Sequence, residues 1–317
     1  MLIIAFLVSV STAFAGTETC SNVDLTAPTQ PLASVPSWSQ GHSNLCYAYS
    51  ASSLIDAYRF EKGDKDVKHL TSPLLLAART IEKYSRIGST LAGGKIEHAF
   101  ASARDFGSCD IKVVSDKLGS YNTDRILNTL EDQYKKSKNA ASDKLTIAEN
   151  VIQFLQSAGI SADSLPSVDE VEKNFALGRD EFVAETLLKF CGDPKNLEDL
   201  PKPKLLFRPR ADAETLSEKV NQLLTAGTPV GANFCANVAT DPTHEGHLQD
   251  GEWICKNKMN HSAIIAGRRM KAGKCQYLIQ DSGCDGYTNG NAGCVSGRYW
   301  VSSERMIVNT HGIFWLE

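Results

Sequence analysis

Gln40-Gly41-His42-Ser43-Asn44-Leu45-Cys46-Tyr47-Ala48-Tyr49-Ser50 reads as a short polar loop running without a break into a helix. Gly41, Ser43 and Asn44 are turn formers. From Cys46 onward Tyr47, Ser50, Leu54 and Tyr58 recur at near-helical spacing, and Gly63 ends the pattern, so a helix is expected over 46–60 with Cys46 in its first turn. Unpaired backbone N–H groups at a helix N-terminus favour negative charge, and the thiolate is the nucleophilic form of cysteine. The stretch therefore supplies a candidate nucleophile at the head of a helical region.

Further helices follow. Thr71-Ser72-Pro73 combines a capping hydroxyl with an early helical proline, and a third helix is expected over 95–106, stopped by Gly107. Residues 112–202 are polar with apolar stripes at Ile126, Leu127, Leu130 and Tyr134, then at Leu145, Ala148, Ile152 and Leu155, which reads as a helical insertion packed on the main body. Pro201-Lys202-Pro203 marks its end. After one more helix over 213–226 the pattern changes to strand-sized apolar runs separated by glycine-rich turns: Val230 to Ala236, Ser262 to Gly267, Gln276 to Gln280 and Arg298 to Val301. Helices first and an antiparallel sheet second is an α+β order.

A nucleophilic thiol needs a base, and the base needs a group to orient it. Of the seven histidines, His261 opens an expected strand, and the next expected strand ends in the polar residue Asp281. A carboxylate accepting from one ring nitrogen would hold the imidazole and favour its cation.

The Gln40 to Ser50 stretch resembles the nucleophile motif of papain-like cysteine peptidases, in which glutamine precedes the cysteine by six positions and an aromatic-Ala-aromatic run follows. Asn260-His261-Ser262-Ala263-Ile264-Ile265-Ala266-Gly267 is similar to that family's histidine strand, and Tyr277-Leu278-Ile279-Gln280-Asp281-Ser282-Gly283 to the strand carrying its orienting residue. Leu91-Ala92-Gly93-Gly94 looks like its Gly-Gly turn, and Thr228-Pro229-Val230-Gly231-Ala232 like the strand leading its second lobe. The resemblance implies a two-lobed papain-like fold, helical lobe then sheet lobe, with Cys46 and His261 facing each other across a cleft. It further implies that Gln40 and the Cys46 backbone N–H stabilise an oxyanion, that Asp281 orients His261, and that Gly93 and Gly94 pair with the backbone of a peptide substrate.

Four positions depart from the family pattern. Asp281 stands where asparagine is usual, which keeps the orienting role but changes its electrostatics. Ser43 stands where a cysteine is usual, so that family disulfide is lost. Tyr47 replaces a tryptophan, and Gly283 replaces the tryptophan that normally shields the orienting residue, so a more exposed Asp281 and a looser hold on His261 are expected.

The chain begins with an uncharged apolar run followed by Ala13-Phe14-Ala15-Gly16, which suits removal of residues 1–15 as a signal peptide. Residues 16–317 then form one peptidase domain, with too few residues before 36 for a helical pro-segment of the family's usual kind. All nine cysteines follow the expected cleavage point, and an odd number leaves at least one unpaired within the chain. If that one is Cys46, eight remain for up to four disulfides in an exported protein, periplasmic or secreted. Sequence leaves the connectivity open, with Cys235–Cys255 and Cys284–Cys294 the preferred local pairs.

A net charge of -4 with scattered Lys and Arg points away from nucleic acid, and no stretch after the leader suits a membrane span. His244-Glu245-Gly246-His247 lacks a helix and a third ligand and reads as a solvated loop, so neither metal nor cofactor is expected. The partner expected is a peptide or protein substrate; the oligomeric state is left open. The function implied is an exported cysteine peptidase working through a Cys46 thioester. The alternatives are another thiol acyl-transfer enzyme, such as a cell-wall amide hydrolase or a transglutaminase-like protein, or a catalytically inactive binding protein of the same fold.

Overall fold

The opening helix, α1 (Cys46–Glu61), begins at the cysteine itself. Its Tyr47, Ala48, Ala51, Leu54, Ile55 and Ala57 are buried, and the small residues Ser50 to Ser53 let it lie close to its neighbours. The computed structural model describes residues 20–64, 70–110, 123–139, 143–158, 160, 162–191, 194–197, 199–236, 246–249, 252–256, 260–284 and 294–317. The expected leader at 1–15 lies outside them, as do His244 and Glu245.

Helix α2 (Pro73–Tyr84) is capped by Ser72, whose hydroxyl accepts from the Leu75 N–H, and α3 (Ile96–Phe106) ends at Gly107. Buried Asp56 ties α1 to the start of α2 by accepting from the Thr71 N–H at 3.0 Å and the Thr71 hydroxyl at 2.8 Å. Burial pushes its carboxyl up to about 6, even though Arg59 and Thr71 favour the anion.

Within 112–202 the described residues form α4 (Thr123–Asn139), α5 (Lys144–Ser157), α6 (Val168–Asn174) and α7 (Arg179–Leu188). The stripe of α5 is rotated from the sequence expectation. Ile147, Ala148, Val151 and Leu155 are buried, whereas Leu145 is 53 % exposed. The chain enters and leaves this region through one neck. Ser108 and Lys195 exchange backbone hydrogen bonds of 2.9 and 2.8 Å, and Cys109 is bonded to Cys191.

Beyond the neck the character becomes β. Among the described residues one antiparallel sheet has the order β2 (Lys204–Phe207), β9 (Thr310–Trp315), β3 (Val230–Cys235), β6 (Asn260–Lys271), β7 (Lys274–Gln280) and β8 (Arg298–Ser302), with β1 (Val23–Asp24) also on β6. Helix α8 (Ala213–Thr225) packs on the sheet, and α9 (Ser303–Val308) joins β8 to β9. The architecture is thus α+β, helical lobe followed by antiparallel sheet, and α1 packs against β6 and β3 where the two meet.

Gly246 and His247 begin strand β4 (Gly246–Gln249), paired with β5 (Glu252–Cys255), so this half of the expected loop is a hairpin strand instead. The Cys235–Cys255 disulfide anchors that hairpin to the end of β3. Cys284–Cys294 and Cys20–Cys275 are the other bonds, and Cys46 is the free thiol among the described cysteines. No helix among the described residues is long and apolar enough to cross a membrane.

Candidate active site

The β6–β7 hairpin explains why residues twenty positions apart meet. β6 runs from Asn260, turns at Ala272-Gly273, and β7 returns in a register that sets Gln280 opposite Ile264, which brings the next residue, Asp281, beside His261. The His261 Nε2–H donates to Asp281 Oδ1 at 2.6 Å. With Nε2 taken, Nδ1 is the ring nitrogen left to face Cys46.

Asp281 is 3 % exposed, so the expected opening of this residue to water does not occur. Gly283 carries no shielding side chain, but its N–H donates to Asp281 Oδ1 at 2.7 Å, and the Tyr299 hydroxyl donates to Oδ2 at 3.1 Å. Tyr299 lies opposite Ile279 on β8, and the Asp281 N–H donates to the Gly297 carbonyl at 2.9 Å, which holds the carboxylate and the tyrosine in register. Sequence reading missed Tyr299. Its signal was the inward alternation of Tyr299 and Val301 in the expected strand.

Charge follows from this packing. Burial works against the imidazolium of His261, but the Asp281 carboxylate, its hydrogen bond and the adjacent Cys46 sulfur outweigh burial and hold the histidine well above its usual range. Burial likewise works against the Asp281 anion, and His261, the Gly283 N–H and Tyr299 together bring its carboxyl below the ordinary value. The Tyr299 hydroxyl is held well above its usual range by burial and by the neighbouring carboxylate, so it stays a donor. Phe234, opposite His261 across the β3–β6 ladder, packs edge-on to the imidazole at 5.5 Å and fixes the ring plane.

The Cys46 side of the cleft is built from a turn. Ser43 N–H and Ser43 hydroxyl both donate to the Gln40 carbonyl, at 3.2 and 2.8 Å, with Gly41 between them at φ +59°, a left-handed backbone that glycine adopts freely. Ser43 thus closes the loop by hydrogen bonds. The Gln40 side chain is buried, its Nε2 donating to the Ser43 carbonyl at 2.6 Å and its Oε1 accepting from the Ser282 hydroxyl at 2.7 Å. The Gln40 N–H also donates to the Ser282 carbonyl, at 2.8 Å, so the loop before Cys46 is tied to the residue after Asp281.

Gln40, Cys46, His261, Asp281, Gly93 and Gly94 all line one cleft of about 700 Å³. Gly94 is demanded by close packing, since a Cβ there would lie 2.7 Å from Tyr47 Cζ. Tyr47 therefore supports the Gly-Gly turn from below. Phe207, Asn233 and His311, from three neighbouring strands of the sheet, line the same cleft. Burial and the nearby Arg208 push His311 down to about 4, so it presents a neutral imidazole at neutral pH.

Among solved structures, the chain is similar to the digestive procathepsin L2 proteinase of Tenebrio molitor larval midgut, at 14 % identity over 93 % of this chain and 67 % of that one, with a TM-score of 0.48. It is also similar to xylellain, a cysteine protease from Xylella fastidiosa, at 13 % identity over 93 % and 84 %, TM-score 0.47. The proCathepsin B S9 of Trypanosoma congolense aligns at 12 % identity over 93 % and 77 %, TM-score 0.49. No family model matches the sequence, and no curated protein sequence matches it. At this level of likeness the solved structures assign no activity to the chain.

Proposed function

We propose that the chain is an exported cysteine peptidase of the papain type, with Cys46 as nucleophile, His261 as general base and acid, Asp281 as its orienting group and Gln40 as oxyanion donor. The observation that carries this reading is the joint lining of one cleft by a free thiol at a helix N-terminus, a histidine locked to a buried carboxylate, and a fixed side-chain amide.

The chemistry follows from those positions. Cys46 gives its thiol proton to His261 Nδ1, Sγ attacks the substrate carbonyl carbon, and the π pair moves to oxygen. The oxyanion accepts from the Cys46 backbone N–H and from the second Nε2–H of Gln40, the first being occupied by the Ser43 carbonyl. His261 then gives its Nδ1 proton to the leaving amine, and the C–N bond breaks to leave a thioester. Water, deprotonated by the same nitrogen, attacks the thioester and releases the acid and the thiol. Gly93 and Gly94 on the cleft wall offer backbone to an extended peptide without side chains in the way. Four disulfides suit an oxidising compartment and support export.

Mass spectrometry of the protein after reaction with a peptidyl epoxide, beside Cys46→Ala, tests the assignment together with turnover of a mixed peptide library. The expected result is a single adduct on Cys46 and library cleavage that disappears in the variant. An unlabelled thiol together with an intact library would overturn the peptidase reading in favour of a binding protein. Amide products carrying an added amine would overturn it in favour of acyl transfer.

A further inference from the structure

Among the described residues, two carboxylates of the helical insertion bond to the cleft-forming loops. Asp124, in the first turn of α4, accepts from the His42 N–H at 2.6 Å. Its carboxylate occupies the space beside Gly41, where a Cβ would lie 2.2 Å from Asp124 Oδ2, so the turn before Cys46 and the start of α4 are fitted to one another. The neighbouring Thr123 hydroxyl is 2.9 Å from the Tyr49 hydroxyl on α1. On the other side, Asp180 in the first turn of α7 accepts from the Leu91 N–H at 3.4 Å, at the base of the Gly-Gly turn. Arg179 links the two helices, bonded to Asp180 at 2.7 Å and to Glu131 of α4 at 3.5 Å.

Gln40 is held from within by Ser43 and Ser282, and the turn that carries it is held from outside by Asp124. We propose that the insertion braces the oxyanion loop, with Asp124 as a positioning residue that keeps Gln40 in place relative to Cys46 through the His42 amide. This rests on the peptidase reading for what Gln40 does, but the brace itself is a statement about the loop. An unbraced turn loses one of its outer hydrogen bonds, and the Gln40 amide then spends less time where an oxyanion forms.

Two reagents separate this from a general structural role. A peptide aldehyde adds Cys46 Sγ to its carbonyl carbon, the π pair moves to oxygen, and the imidazolium proton goes to that oxygen, which needs the Gln40 and Cys46 donors. Iodoacetamide is attacked at a saturated carbon, iodide leaves with the bonding pair, and no oxyanion forms. In Asp124→Ala, aldehyde affinity and peptide kcat should fall about ten-fold, while alkylation by iodoacetamide keeps its rate. Asp124→Asn retains an acceptor oxygen and should restore most of the loss. Amide hydrogen exchange over residues 40–45 of the intact protein should quicken in Asp124→Ala.

Aldehyde affinity and exchange both unchanged in Asp124→Ala would overturn the brace. Alkylation slowing in parallel with aldehyde binding would overturn it too, since Asp124 would then serve the whole helical lobe. If the unaltered protein binds no aldehyde, the peptidase reading fails, and the exchange measurement alone decides the brace.

Discussion

His261 and Asp281 come from one hairpin of the large sheet, whereas Cys46 and Gln40 come from a turn and a helix N-terminus whose outer side rests on the insertion. On the sheet side, position is set by backbone register: β3, β7 and β8 each place one of Phe234, Asp281 and Tyr299 against the histidine pair. On the loop side it is set by side chains reaching from distant segments, namely Ser282, Asp124 and Thr123. Backbone ladders tolerate single substitutions because neighbouring hydrogen bonds remain; a turn held from outside by two side chains, Ser282 and Asp124, and one backbone bond to Ser282 has less reserve. The loop wall is therefore the more easily disturbed of the two.

Three substitutions test this contrast. Gln40→Ala on the loop side should lower kcat by about 100-fold by removing one oxyanion donor, with KM changing little. Steady-state kinetics on a peptide amide reads it, and a change confined to KM would show that Gln40 binds substrate in its ground state instead.

Asp281→Asn on the sheet side should cost about ten-fold in kcat/KM and should also move the alkaline limit of activity to lower pH. The sign follows from the direction of the shift: the carboxylate raises the His261 pKa, so its loss lets the imidazolium deprotonate at lower pH. A pH profile of kcat/KM with an unmoved alkaline limb would sever Asp281 from His261.

Tyr299→Phe should have the smallest catalytic effect, within about three-fold, while lowering stability by about 1–3 kcal/mol because Asp281 Oδ2 is left buried without that donor. Denaturant unfolding measures it. Unaltered stability would mean that Asp281 finds another donor, and the sheet side would be more forgiving still.

The same contrast separates what could be read from the sequence from what could not. The Cys46 helix, the His261 strand and the strand leading to Asp281 were legible because each signal is local: an apolar period, a glycine stop, a polar residue at a strand end. Tyr299 was visible only as an inward-facing residue, since alternation tells which face it takes and not which carboxylate it meets. Asp124 was hidden more deeply. A carboxylate in the first turn of a helix ordinarily reads as a partner for the helix dipole, and its contact with His42 spans 82 positions. The phase error in α5 has a similar origin, because Leu145 fits an apolar stripe by spacing, and spacing does not tell which of two adjacent stripes, 145/148/152/155 or 147/148/151/155, a neighbouring element covers. Asp281 was expected to be exposed because Gly283 lacks a side chain, yet backbone N–H and a residue from the next strand supply the cover.

The neck formed by Ser108 and Lys195, with Cys109 bonded to Cys191, has a consequence in terms of descent. A segment whose two ends are adjacent can be gained, lost or exchanged as one piece, because the chain on either side follows the same path with or without it. The sheet register that pairs His261 with Asp281 would survive such an exchange untouched. What would have to evolve together with each new segment is the fit between its first helical turn and the glycine at position 41.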